Sequence, residues 1–166
     1  MTDRGEVSKK QTQTNRYGNI VSFDAVALDR GNADAITFSK ENPMIDRLFF
    51  TLGALSAGIS VAAGAFGAHV LKEKISPELL TVFEVGARYQ MYHALALLAT
   101  AWALGRWPGA LITAGGWLFV VGTVLFSGSL YALSLSGIRT LGMITPMGGV
   151  AFLAGWLCLA IAAWKA

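Results

Sequence analysis

GALITAGGWLFVVGTVLFSGSLYALSL, residues 109 to 135, runs for 27 residues without a charged side chain. A helix at a water-facing surface needs a charged or strongly polar face, and this stretch offers only a few hydroxyls. At 1.5 Å per residue it is long enough to cross about 30 Å of hydrocarbon. Backbone polar groups at that depth must be satisfied within the segment, so a transmembrane helix is the expected state.

Similar stretches lie on either side. Leu48 to Leu71 is apolar and bounded by Arg47 and Lys72. Leu141 to Trp164 is apolar and stops at Lys165. A further span ends near Leu104, before Gly105-Arg106-Trp107-Pro108. The expected fold is therefore all-α: a bundle of four transmembrane helices spanning about residues 48–71, 84–104, 109–135 and 141–164. The linkers are short, so consecutive helices should be antiparallel. Ser76-Pro77-Glu78 gives the second helix a readable start, with a hydroxyl at the N-cap, proline at the first helical position and an acid in the first turn. From Pro77 to Leu104 that helix would be about 42 Å long, which exceeds the hydrocarbon thickness. Glu84 is then expected among the headgroups and Arg88 near their boundary.

Composition agrees with this reading. Apolar residues make up 54% of the 166-residue chain and charged residues 14%, against about 25% charged in soluble domains. Disorder, a disulfide scaffold and most soluble enzymes are excluded. The net charge of +3 comes entirely from residues 44 to 166. No basic face or Arg run accompanies it, so nucleic acid is not an expected partner. Cys158, the lone cysteine, sits in an apolar run and reads as a small buried hydrophobe.

Residues 1 to 43 form a separate polar segment with six basic and six acidic residues. They contain no apolar signal-peptide core. VSFDAVAL is compatible with one short strand or helical turn but has no evident core to join. The segment is expected to be a disordered tail, either an upstream extension or a mis-called start ahead of Met44. Mass spectrometry of the native N-terminus decides between these: an intact Thr2 terminus rules out the second.

Small residues are dense in the spans. Ser60-xxx-Gly64-xxx-Ala68 is a ladder that lets helix backbones approach closely. Basic residues divide evenly, with Lys40, Arg47, Arg106 and Lys165 on the side of the termini and Lys72, Lys74, Arg88 and Arg139 on the side of the loops. The positive-inside rule does not separate them. An untranslocated polar tail favours cytoplasmic termini.

Polar side chains converge on the loop side. They are His69 in the first span; Glu84, Arg88, Tyr89, Gln90 and His93 in the second helix; Ser127, Tyr131 and Ser134 in the third; and Thr145 beside Pro146 in the fourth. Glu84 and Arg88 are i,i+4 with the acid first, the better order for a helical ion pair. Tyr89 and His93 form a second such pair, rotated by about 100°. Pro146 lacks an N–H, so the fourth helix should kink where the Gly142 carbonyl loses its partner. One reading is a polar pocket lined by His69, Glu84, Arg88, Tyr89, His93, Ser127, Tyr131 and Thr145. The other is an interfacial ion pair with interhelical hydrogen-bond glue. Two histidines without a completing carboxylate or thiol make a poor metal or haem site, so no metal and no cofactor is expected. No nucleophile–base constellation appears, and enzymatic activity is not expected.

The motifs GAFGAH (64–69), FEVGARYQMYHALAL (83–97), FSGSLYAL (126–133) and GMITPMGGVAFLAGW (142–156) resemble the small four-helix inner-membrane family catalogued as domain of unknown function 423. Val70 departs from the glycine expected after the histidine. The resemblance covers about residues 44 to 166 and implies a bacterial plasma-membrane protein, with no settled activity. The expected role is a membrane binding or scaffold protein acting through helix packing. Its partners would be the lipid bilayer and a second copy or another membrane protein. The alternative is a small-solute or anion permease using Arg88, His93 and Tyr131. The small multidrug exporters are similar in size, but their mid-membrane glutamate has no counterpart in the first span.

Overall fold

A computed structural model of the chain describes residues 11–14, 20–23 and 43–165. Two units are distinguished, Met1–Lys40 and Glu41–Ala166. In the first, strands β1 (Gln11–Thr14) and β2 (Ile20–Phe23) pair antiparallel, with Gln11 opposite Phe23 and Thr14 opposite Ile20. These eight residues lie within the segment expected to be a tail. QTQT and IVSF are rich in β-branched residues, which favour a pleated pairing. The other residues of that tail lie outside those described.

The second unit is helical. It comprises α1 (Pro43–His69), α2 (Pro77–Arg106), α3 (Ala110–Ser136) and α4 (Thr145–Lys165). Short 3-10 turns at Leu71–Glu73 and Arg139–Met143 join α1 to α2 and α3 to α4. The start of α2 is as the residues foretell: the Ser76 Oγ accepts from the Leu79 N–H at 3.3 Å, with Pro77 at the first position. Ser76→Ala is expected to cost about 1 kcal/mol in a thermal melt, the usual worth of an N-cap. Gly137 ends α3 in the left-handed conformation, φ 73°, and returns its N–H to the Leu133 carbonyl at 2.8 Å. A side chain there would be strained.

Pro146 does not kink a continuous helix. α4 begins at Thr145, after the 3-10 turn, so the proline stands in the first turn. Its missing N–H has no intrahelical acceptor to lose there.

Among the described residues, three segments are long and apolar enough to cross a membrane: Met44–Glu73, Ala110–Ser136 and Arg139–Lys165. α2 is not among them, because Glu78, Glu84 and Arg88 occupy its first half and Tyr89, Gln90, Tyr92 and His93 lower the hydropathy of the rest. It is, however, the most enclosed of the last three helices, with eleven buried residues against nine in α3 and four in α4. A helix wrapped by its neighbours can carry polar groups that lipid would reject.

The helices run antiparallel in sequence order and meet through glycine. Gly53 of α1 lies against the Ala94 carbonyl of α2, and Gly86 of α2 lies under Tyr131 of α3. Gly115 and Gly155 face each other's carbonyls across α3 and α4. A Cβ on Gly116 would stand 2.5 Å from the Phe49 ring. Phe49, Ala96, Leu97, Ala101, Phe119 and Phe152 form the buried core. Lipid tails are as apolar as these side chains, so close packing and hydrogen bonds hold the bundle together.

Candidate functional site

The polar residues of the loop-side half occupy three places. The first is an interhelical network centred on Gln90. Its Nε2 donates to the Ser56 carbonyl at 3.1 Å and to Ser56 Oγ at 3.3 Å. Its Oε1 accepts from the Tyr131 hydroxyl at 2.8 Å. One glutamine therefore ties α1, α2 and α3. Ser60 adds a second α1–α2 bond, Oγ to the Ala87 carbonyl at 2.7 Å.

The second place is a groove of about 640 Å³ between α2 and α4, lined by Tyr92, His93, Phe126, Gly149, Phe152 and Trp156 among others. His93 forms its inner wall at 5% exposure. The ring lies flat on Phe152, with centroids 3.3 Å apart and planes 3° from parallel. Trp156 Nε1 donates to His93 Nε2 at 3.4 Å, and His93 Nδ1 lies 2.8 Å from the Tyr89 carbonyl. An indole N–H is only a donor, so Nε2 accepts and the proton sits on Nδ1, where it is given to the carbonyl. This assignment makes His93 a neutral imidazole with both nitrogens engaged. Trp156→Phe removes the donor. It is expected to cost about 1 kcal/mol in a melt and to alter the imidazole nitrogen shifts seen by NMR.

The third place is a shallower groove of about 310 Å³ on the α1–α2 face, lined by Ser60, Gly64, Glu84, Ala87 and Arg88. Both charged side chains are exposed. Rotation explains the separation: Arg88 and Tyr89 are neighbours in sequence but point about 100° apart.

The remaining residues stand apart from these three. His69 is exposed at the end of α1. Thr145 Oγ1 and Ser129 Oγ are 2.8 Å apart, linking the start of α4 to α3. Ser134 Oγ donates to the Leu130 carbonyl of its own helix at 2.6 Å. Ser127 is buried and, among the described residues, its Oγ has no hydrogen-bond partner.

Ser56, Ser129 and Trp156 were not singled out from the sequence; Gln90 was named among the converging polar side chains but not placed in the pocket, and Ser60 only as a rung of the packing ladder. Gln90 carried a signal, because Gly86, Gln90, Ala94, Leu97 and Ala101 form the inward stripe of α2. Trp156 carried none: its partner His93 lies 63 residues away.

Comparison with known proteins places the chain. The profile of a family described as "Protein of unknown function (DUF423)" matches residues 63–149, which include all of α2 and α3. The UPF0382 membrane protein YwdK of Bacillus subtilis is 48% identical over 120 residues, 72% of this chain and 98% of the relative. A UPF0382 membrane protein of Staphylococcus aureus is 50% identical over 119 residues, 72% of this chain and 97% of the relative. One of Staphylococcus epidermidis is 47% identical over 119 residues, with the same coverage. No solved structure matches. Identity near one half over nearly the full length of these relatives, together with apolar helices of spanning length, shows that the chain is a membrane protein and belongs to the DUF423 family.

Proposed function

We propose that the protein is a multi-pass bacterial plasma-membrane scaffold. It works by helix packing, without catalysis, and offers its α2–α4 groove to a transmembrane helix of a second copy or of another membrane protein. The observation that carries this reading is the contrast between the groove and the other helix contacts. The contacts of α3 with α4 are closed at the glycine backbone, whereas α2 and α4 meet through large aromatic side chains and leave about 640 Å³ open at the side. Val150 and Leu153 line the opening and are largely exposed. Gly149, at the same wall, offers a partner backbone a close approach. Both termini are assigned to the cytoplasmic side, on the reasoning that the polar tail is not translocated.

Filling the groove tests this. A Cβ on Gly149 would meet nothing nearer than the Phe126 ring at 3.9 Å, so Gly149→Leu is expected to fold. The wild type is expected to assemble in native mass spectrometry, and the variant to lose that assembly with its melting temperature within a few degrees of wild type. Retention of the assembly in a folded Gly149→Leu protein would remove the groove from the account.

The permease alternative draws less support. Arg88 lines the α1–α2 groove, His93 the α2–α4 groove, and Tyr131 is bonded to Gln90. Solute flux into proteoliposomes that is lost in Arg88→Ala would favour it.

A further inference from the structure

Glu84 and Arg88 sit one helical turn apart on the same exposed groove. The arrangement invites a direct ion pair, yet among the described residues neither side chain has a salt-bridge partner within 4.0 Å. The groove beside them is open. A Cβ on Gly64 would meet nothing within 4 Å, and the Ser60 hydroxyl is already committed to the Ala87 carbonyl. Two opposite, unpaired charges thus flank a space of about 310 Å³.

Depth gives the pair a direction. α2 ends at Arg106, which cannot enter hydrocarbon cheaply. About 20 residues of hydrocarbon thickness, counted back from Gly105, reach about residue 86. Glu84 therefore stands about 3 Å outside the hydrocarbon, at the start of the headgroup layer, and the Arg88 backbone about 3 Å inside it, with its long side chain snorkelling outward toward the phosphates. The acid stands outward of the base.

A zwitterionic ethanolamine phospholipid has the complementary order. Its phosphate is attached to glycerol, and its primary ammonium lies two carbons further toward water. A guanidinium at phosphate depth can give two parallel N–H bonds to phosphate oxygens. A carboxylate one turn further out can accept from the ammonium. A choline headgroup has the same charges but no N–H to donate. A glycerol headgroup is anionic and presents no cation to Glu84.

We propose that the Glu84–Arg88 groove is a binding site for the headgroup of phosphatidylethanolamine, with Arg88 on the phosphate and Glu84 on the ammonium. The inference rests on the membrane placement of α2 and is independent of the scaffold reading.

The test is lipid retention by the full chain in native mass spectrometry. The detergent-solubilised protein is offered equal amounts of phosphatidylethanolamine, phosphatidylcholine and phosphatidylglycerol with identical acyl chains. The wild type should retain the ethanolamine lipid about tenfold over the choline lipid, the ratio for one charge-assisted hydrogen bond. Glu84→Ala should erase that preference and leave the glycerol lipid favoured. Arg88→Ala should lower retention of all three. The exchange Glu84→Arg with Arg88→Glu keeps both charges but reverses their order, so it should lose the ethanolamine preference while melting like wild type. Equal retention of the three lipids by the wild type, a wild-type preference for the glycerol lipid, or an unchanged preference in the exchanged variant would each overturn the proposal. Assembly through the α2–α4 groove should be untouched by Glu84→Ala, so failure of one claim is distinguishable from failure of the other.

Discussion

Gly148→Ala is expected to cost about 3 kcal/mol, the upper end for overpacking a closed contact, and Gly148→Leu to prevent folding. A Cβ at this position would stand 2.5 Å from the Phe126 backbone nitrogen, 2.7 Å from its Cβ and 2.8 Å from its Cα. Backbone cannot rotate away as a flexible side chain can, so α4 must move off α3. That movement would also loosen Phe152 from His93 and strip the inner wall of the groove. The matched controls are Gly58→Ala and Gly64→Ala, where a Cβ meets nothing within 4 Å. Each should be neutral or gain up to about 1 kcal/mol, the helix propensity difference between glycine and alanine. Tryptophan fluorescence melts of the four variants in one detergent check the contrast. A Gly148→Ala melt equal to that of Gly58→Ala would mean that α3 and α4 do not meet as closely as described.

Gln90→Leu is the second large effect. It removes the acceptor of the Tyr131 hydroxyl and the donor to Ser56 in one step. A buried polar group left unpaired costs about 1–3 kcal/mol. Interhelical hydrogen bonds in membranes measure lower on average, about 0.6 kcal/mol, because the alternative state also finds partners. Three bonds depend on Gln90, so about 2 kcal/mol is expected. Tyr131→Phe alone should cost less, because Gln90 keeps Ser56. Together the two changes should cost less than their sum, since they share one bond. Strict additivity in that double-mutant cycle would show that the Tyr131–Gln90 bond contributes nothing.

Much of the fold was legible because lipid imposes simple demands. The charge-free run at residues 109–135 and the basic residues bounding the others mark the helices without knowledge of their packing. Ser76-Pro77 marks a helix start because its chemistry is local. Pro146 was harder to place. Its meaning depends on whether the helix has already begun, and the 3-10 turn at Arg139–Met143 delays that start. The pairing of β1 with β2 was also unread, since one short strand has no meaning until its partner is known.

The place of the polar residues along the helices was legible, but their rotation was not. Periodicity puts Glu84 with Arg88 and Tyr89 with His93 on two faces of α2. Which neighbour each face meets is a matter of packing: α1 for the first, α4 for the second. The sequence therefore suggests one pocket where the structure has two grooves and a hydrogen-bond network. The aromatic wall of the α2–α4 groove depends on Phe126, Phe152 and Trp156, which in sequence look like ordinary lipid-facing or core residues.

Site-specific photo-crosslinking in native membranes is the measurement closest to the scaffold claim. A photoreactive residue replaces Val150, exposed on the groove, or Val61, comparably exposed on α1. The account predicts a discrete protein-sized adduct from position 150, weakened by Gly149→Leu in the same chain, and none from position 61. Lipid-only labelling at both positions would contradict it and leave the groove as one more surface in contact with the bilayer.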